Sequence, residues 1–113
     1  MSHVFLTGAS GFICRGLALS LANMGYTVHA LVRSPSANEY LHHANIRIFL
    51  GDILDQDSIL EAIKGCDQAY HLAGLAKMWM KDKTEYFNVN VKGTENVLRA
   101  VCKSPVEKII ITS

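Results

Sequence analysis

The strongest chemical signal in the sequence is a glycine-containing segment near its start, Thr7-Gly8-Ala9-Ser10-Gly11-Phe12-Ile13. Glycine at position 8 permits a tight turn with a positive φ angle, and glycine at position 11 lets backbone amides approach an anion closely. An apolar run precedes the segment and helical spacing follows it, so free N–H groups and a helix dipole would face the anion. This context predicts a dinucleotide pyrophosphate site, with an ordinary tight turn as the alternative, and the Gly-Lys-Ser/Thr ending of a mononucleotide P-loop is absent.

A basic residue occupies the position at which such a site distinguishes NAD from NADP. NAD-selective folds commonly place an acidic residue about 20 residues beyond the glycine turn, to bind the ribose 2′-hydroxyl. Here the second predicted strand ends at Arg33, which is followed by Ser34 and Ser36. A guanidinium can bind two oxygens of a 2′-phosphate at once, so the sequence favours NADP over NAD. The alternative is a solvated arginine at a strand end.

Several other side chains could take part in chemistry. His71 titrates near neutrality, but its place before a turn favours packing or hydrogen bonding over catalysis. His42 and His43 are adjacent, and no further ligand lies near them in the sequence, so no metal site is predicted. Trp79 fits either a substrate-binding wall or a packing role in its loop.

Strand and helix patterns alternate along the chain and predict an α/β fold of the Rossmann type, a doubly wound parallel sheet. Right-handed crossovers give the strand order 3-2-1-4-5, with the chain ending just after the fifth strand. Either Asp55 or Asp57 can cap the second helix, which ends at Gly65. The other predicted elements are strands at Val4–Leu6, Tyr26–Val32, Ile46–Leu50, Ala69–Ala73 and Lys108–Thr112, and helices at Phe12–Met24 and Thr84–Lys103.

Composition bounds the class of protein. The chain has 113 residues, enough for one domain, and 11 basic against 10 acidic residues give a net charge of +1. With no block of like charge, nucleic-acid and membrane-surface binding are not expected. No signal peptide and no apolar run of about 20 residues is found, so a cytoplasmic protein is expected. The three cysteines are odd in number and widely spaced, which favours free thiols.

Three further motifs carry a family resemblance: Gly51-Asp52-Ile53, Asp67 with His71-Leu72-Ala73-Gly74, and Asn90-Val91-Lys92-Gly93-Thr94-Glu95-Asn96-Val97-Leu98. Together with the glycine turn, they make the chain resemble the extended short-chain dehydrogenase/reductases, also called the NAD-dependent epimerase/dehydratase family. The resemblance covers essentially all 113 residues. Leu31-Val32-Arg33 and the loop around Trp79 are most similar to the dihydroflavonol-reductase-like branch.

The resemblance implies a set of cofactor-binding residues within an NAD(P)-binding Rossmann domain at 1–113. Asp52 and Ile53 would edge the adenine, although Asp52 fits a simple turn residue as well. The segment 72–74 would pass beneath the pyrophosphate and the nicotinamide ribose. Cys14 replaces the family's third glycine, which is expected to affect cofactor affinity more than the fold. The complete expected set is Gly8, Ser10, Gly11, Phe12, Ile13, Arg33, Asp52, Ile53, Leu72, Ala73 and Gly74.

The family's catalytic pair is not found in this sequence. Its members transfer a hydride at the nicotinamide, with a tyrosine as general acid or base and a lysine four residues later that lowers the tyrosine pKa. None of the four tyrosines is followed by a lysine at that spacing. The resemblance places the pair beyond the fifth strand, so we expect an N-terminal part that is inactive by itself and assign no catalytic residue.

For the whole protein, the resemblance implies an oxidoreductase that acts on a carbonyl or a secondary alcohol of a small-molecule substrate, and it allows a homodimer. A nucleotide-sugar epimerase or dehydratase is the alternative enzyme. A non-catalytic NADP-sensing protein that kept the cofactor fold is the alternative from another class.

Overall fold

The structure, a computed structural model, describes residues 2–8, 12–33, 41, 43–71 and 83–111. For residues 12–14, 83–91 and 111 the structure describes the backbone and not the side chains. In this part of the chain, no helix combines the length and the apolar character needed to cross a membrane.

Within the described residues, five parallel strands form one sheet in the order β3-β2-β1-β4-β5, which confirms the predicted topology. At the carboxyl ends of the strands, Thr7 is aligned with Leu31 on one side and with His71 on the other. The order reverses between β1 and β4, because β2 and β3 extend the sheet on one side and β5 on the other. The strands are β1 (His3–Thr7), β2 (Thr27–Val32), β3 (Ile46–Leu50), β4 (Gln68–His71) and β5 (Lys108–Ile111).

The three helices lie close to their predicted positions. Asp55, one of two candidate caps, accepts a hydrogen bond from the N–H of Asp57 at the start of the second helix. Three predicted strands start one residue from the observed ones. The expected last residues of β4, 72 and 73, lie outside the described residues. The helices are α1 (Phe12–Asn23), α2 (Gln56–Ile63) and α3 (Lys83–Cys102).

Each face of the sheet is covered by helices, which explains why the central strands bury apolar residues on both faces. Alternate residues of a strand point to opposite faces, so Val4 and Leu6 pack towards α1 while Phe5 packs towards α2 and α3. On α3, Val97 and Ala100 are buried, but the neighbouring apolar residue Leu98 is 39% exposed. The reason is geometric, because successive helical residues are rotated by about 100° and Leu98 therefore leaves the buried stripe.

Candidate functional site

The predicted site residues follow the carboxyl ends of four strands and therefore share one edge of the sheet. Gly8 follows β1, Arg33 follows β2, Asp52 lies just beyond β3, and His71 ends β4. In open α/β sheets, ligands bind in the crevice outside the carboxyl ends of the strands, where the strand order reverses. Here the reversal lies between Thr7 and His71, the aligned last residues of β1 and β4.

Gly8 adopts the conformation that the sequence predicted for the turn. Its φ angle is 76°, a left-handed value that L-residues with a side chain rarely adopt. The chain leaves β1 at Thr7 and begins α1 at Phe12, so the left-handed Gly8 lies between a strand and a helix, the order that an anion site requires. Phe12 and Ile13 form the first turn of α1, whereas Ser10 and Gly11 lie outside the described residues.

His71 bridges two strands and a helix beneath this edge. Its Nδ1 lies 2.8 Å from Oγ1 of Thr7, and its Nε2 lies 3.0 Å from Oγ1 of Thr94 on α3. The side chain is only 2% exposed, and this burial lowers the pKa of His71 below the usual value because it disfavours the charged ring. A neutral ring donates from one nitrogen and accepts at the other. The imidazole therefore has the buried, hydrogen-bonded role that the sequence favoured over catalysis.

The turn after β3 is held by its own polar groups. One carboxylate oxygen of Asp52 accepts a hydrogen bond from the N–H of Leu54 at 3.0 Å, as in an Asx turn. The N–H of Asp52 donates to the hydroxyl oxygen of Ser58 at 3.1 Å, and that hydroxyl lies 2.9 Å from the Asp52 carbonyl. Asp52 therefore fills the turn role that the sequence left open, and sequence reasoning missed Ser58.

Ile53 contributes to the core more than to the open edge. Its side chain is 7% exposed and belongs to the apolar cluster beneath α2 and α3. Its carbonyl oxygen accepts a hydrogen bond from Nδ2 of Asn96 at 2.9 Å. The sequence marked Asn96 only as part of a motif on the third helix. The contact joins residues 43 positions apart, and nothing in either local pattern reveals it.

Arg33 follows β2 at the same edge and is exposed. The neighbouring strand continues there, because the N–H of Gly51 donates to the carbonyl of Val32 at 2.9 Å. Arg33 therefore lies beside the turn after β3 and is exposed to solvent. Ser34 and Ser36 lie outside the described residues.

Of the remaining candidate residues, one has a structural role, and the others or their side chains lie outside the described part of the structure. His43 Nδ1 accepts the N–H of Asn45 at 2.9 Å, so its Nε2 carries the hydrogen that is donated to Asn23 Oδ1, also at 2.9 Å. Within the described ranges, no group of three potential metal-binding side chains is found. Leu72, Ala73, Gly74, Trp79 and His42 lie outside the described residues, as does the side chain of Cys14.

Comparison of the sequence with known proteins finds a matching family and named relatives. The sequence model of the NAD dependent epimerase/dehydratase family matches residues 4–113. Cinnamoyl-CoA reductase 1 of Petunia hybrida is 37% identical over 117 residues, with 97% of this chain and 34% of that protein covered. Dihydroflavonol 4-reductase of Gerbera hybrida is 32% identical over 120 residues, with 97% and 33% covered.

A similar solved structure supports the fold. The crystal structure of a short-chain dehydrogenase/reductase superfamily protein from Agrobacterium tumefaciens, with NAD bound, superposes with a TM-score of 0.81 at 26% identity. The match covers 98% of this chain and 32% of that chain. The chain therefore spans about a third of the length of the proteins that it matches.

Proposed function

The chain belongs to the NAD-dependent epimerase/dehydratase family, and from that premise we propose that it binds NADP, or NAD less strongly, along the carboxyl edge of its sheet. The observation that carries the proposal is the left-handed Gly8, placed between the end of β1 and the first turn of α1 at the reversal of strand order. Such a turn leaves the first N–H groups of the helix free for a pyrophosphate.

The residues of this edge fit a dinucleotide in a definite order. The turn at 8–13 would bind the pyrophosphate through backbone amides, with Gly8, Ser10, Gly11, Phe12 and Ile13 as its members. Asp52 and Ile53 would edge the adenine, and Leu72, Ala73 and Gly74 would pass beneath the pyrophosphate and nicotinamide ribose. The buried, neutral His71 adds no charge beneath this path.

Arg33 supports the preference for NADP. It is exposed at the end of β2, beside the turn that would hold the adenosine. A guanidinium and a 2′-phosphate form charge-assisted hydrogen bonds that the 2′-hydroxyl of NAD does not offer. The position that commonly holds an acidic residue in NAD-selective proteins is therefore occupied by a cation.

For the whole protein, we propose an oxidoreductase that reduces a carbonyl or oxidises a secondary alcohol. The named reductases among the relatives support this assignment over epimerisation. When bound, the nicotinamide accepts or supplies the hydride. This chain would contribute the site that binds and orients the dinucleotide, since its sequence holds no Tyr-x-x-x-Lys pair.

Thermal unfolding of the chain with NADPH, with NADH and with neither tests the proposal. A ligand at 100 times its dissociation constant adds about 2.7 kcal/mol to the free energy of unfolding, which moves the midpoint by roughly 10 °C in a domain of this size. A larger shift with NADPH than with NADH supports both the site and the preference. Equal shifts keep the site and reject the preference, and a cooperative transition unmoved by either ligand rejects the site.

A further inference from the structure

Three neighbouring residues in the middle of α3 contact two separate segments at the carboxyl edge of the sheet. Gly93 and Asn96 contact Ile53, which follows β3, whereas Thr94 contacts His71, which ends β4. The two segments belong to different halves of the fold, because β1–β3 form one side of the strand-order reversal and β4–β5 the other. A single helix therefore holds both sides of the proposed cleft.

The contact with Ile53 fixes both its backbone and its side chain. Asn96 Nδ2 donates to the Ile53 carbonyl at 2.9 Å. A Cβ placed on Gly93 would lie 2.8 Å from Cγ1 of Ile53 and closer still to its Cδ1, so only glycine lets this side chain rest against the helix. The turn after β3 is therefore joined to α3 through both the backbone and the side chain of Ile53.

The contact with His71 fixes the other side in the same way. The imidazole is held between the hydroxyl groups of Thr94, at 3.0 Å, and Thr7, at 2.8 Å. Thr7 directly precedes the turn at Gly8, and His71 directly precedes the segment that begins at 72. His71 therefore connects Thr94 to the point at which the segment from 72 leaves the sheet.

We infer that Gly93, Thr94 and Asn96 of α3 form a positioning element that sets the two halves of the dinucleotide cleft separately. Asn96 and Gly93 position the adenosine half through Ile53, and Thr94 positions the nicotinamide half through His71. A dinucleotide lies across the strand-order reversal and touches both halves, whereas its adenosine part touches one. The inference rests on the proposed cofactor binding and assigns to α3 no direct contact with the ligand.

The affinities of two variants for two ligands test whether the adenosine and nicotinamide halves of the cleft are positioned separately. The ligands are NADPH and adenosine 2′,5′-bisphosphate, which is NADPH without its nicotinamide nucleotide. Asn96→Ala should weaken both ligands by the same factor, about three- to tenfold, as expected when one hydrogen bond no longer fixes the adenosine side. Thr94→Val should weaken NADPH by about three- to tenfold and the bisphosphate by less than about twofold. Calorimetric dissociation constants give these ratios.

Matched variants distinguish positioning from general loosening. Thr94→Ser keeps the hydroxyl and should restore NADPH binding. Asn96→Asp replaces the amide donor by a carboxylate of the same shape and should reproduce Asn96→Ala, which covers the case that one of the two fails to fold. Glu95→Gln alters the exposed neighbour between the two positioning residues and should change neither dissociation constant. Thermal unfolding without ligand shows that each variant is folded.

Parallel losses for both ligands in both variants would overturn the inference, as would the absence of any loss. In either case, NADPH binding by the unsubstituted chain would leave the proposed function standing. An unsubstituted chain that binds neither ligand would overturn the proposed function and this inference with it.

Discussion

The imidazole Nδ1 of His29 lies 2.8 Å from the carbonyl oxygen of Ala62 and joins β2 to the last turn of α2. A carbonyl only accepts, so Nδ1 carries the hydrogen and donates it. In the neutral ring, Nε2 then accepts a hydrogen bond from Nδ1 of His3, 3.2 Å away. The ring is 4% exposed and stacks on Phe49 with its centroid 5.2 Å away. The neutral tautomer is therefore part of the packing between α2 and the sheet.

This arrangement predicts that the protein loses stability in mild acid. Burial lowers the pKa of His29 and of His71, and His3 and Arg47 lower that of His29 further through their positive charges, although the bond to Ala62 opposes the shift. In the unfolded chain both rings have a pKa near 6.5. Below that pH the unfolded chain therefore binds more protons than the folded chain. The free energy of unfolding should therefore fall as the pH falls through about 6.5, which urea midpoints between about pH 8 and about pH 5.5 measure.

His29→Gln provides the control for this prediction, because glutamine does not titrate. The variant should be less stable at neutral pH, and its urea midpoint should depend less steeply on pH than that of the unsubstituted chain. A midpoint that stays constant or rises on acidification would contradict the assignment of buried, neutral rings.

Substitution by alanine should change the stability of the protein in opposite directions at two helical glycines. Gly16 lies in α1, and apart from its own helix backbone no atom lies within 4 Å of the place where a Cβ would stand. Gly16→Ala should therefore gain about 0.5–1 kcal/mol from helix propensity. Gly93 on α3 faces Ile53, and the added methyl group would overlap that side chain. Gly93→Ala should therefore be about 1–3 kcal/mol less stable than Gly16→Ala, the typical cost of overpacking.

Urea denaturation of both variants tests this difference, and each serves as the control for the other because the chemical change is identical. Adding Ile53→Val to Gly93→Ala removes the Cδ1 methyl group that the new Cβ meets, so this double variant should recover part of the loss. Equal stabilities for Gly16→Ala and Gly93→Ala would show that Ile53 moves aside without cost.

The architecture was predictable because its determinants are local and periodic. Continuous apolar runs such as Val4–Leu6 mark strands that are buried on both faces. The rules of right-handed crossover then fix the order of the strands. The backbone position of Gly8 was predictable for the same reason, since a turn between a strand and a helix restricts φ. Most observed helix and strand ends lie within one residue of the predicted ends, because glycines and Asp55 mark these positions in the sequence.

The contacts that hold the candidate site were not predictable from the sequence in this way. Thr94 and Asn96 reach His71 and Ile53 across 23 and 43 residues, and which helical residues face the sheet depends on how α3 packs. Leu98 shows the same limit, because an apolar residue beside a buried stripe points to solvent once the helix is placed. Hydrophobic periodicity locates the buried face of a helix to within a residue or two. Prediction of a hydrogen bond requires that the individual residue be known.

The cap of α2 distinguishes two carboxylates that the sequence could not separate. Asp55 accepts the N–H of Asp57 at 3.1 Å, whereas Asp57 lies within the first turn of the helix. Asp55→Ala should cost about 1 kcal/mol of stability, because a backbone donor loses its partner. Asp57→Ala should cost less than Asp55→Ala, since it removes only a favourable charge at the helix start. Asp55→Asn retains a capping oxygen and should remain close to the unsubstituted chain in urea denaturation.

Arg33 provides the most direct test of cofactor preference. The residue is exposed, follows β2, and would face the 2′-phosphate of NADP. Arg33→Ala should weaken NADPH binding by roughly tenfold, equivalent to about 1.4 kcal/mol, and leave NADH binding within about twofold. Calorimetric titration at fixed ionic strength measures both constants. Lys64→Ala removes an equal charge between α2 and β4, away from the proposed cleft, and should change neither constant. If Arg33→Ala weakened NADPH and NADH equally, the guanidinium would contribute to the general field of the cleft, and the preference for the 2′-phosphate would have to be abandoned.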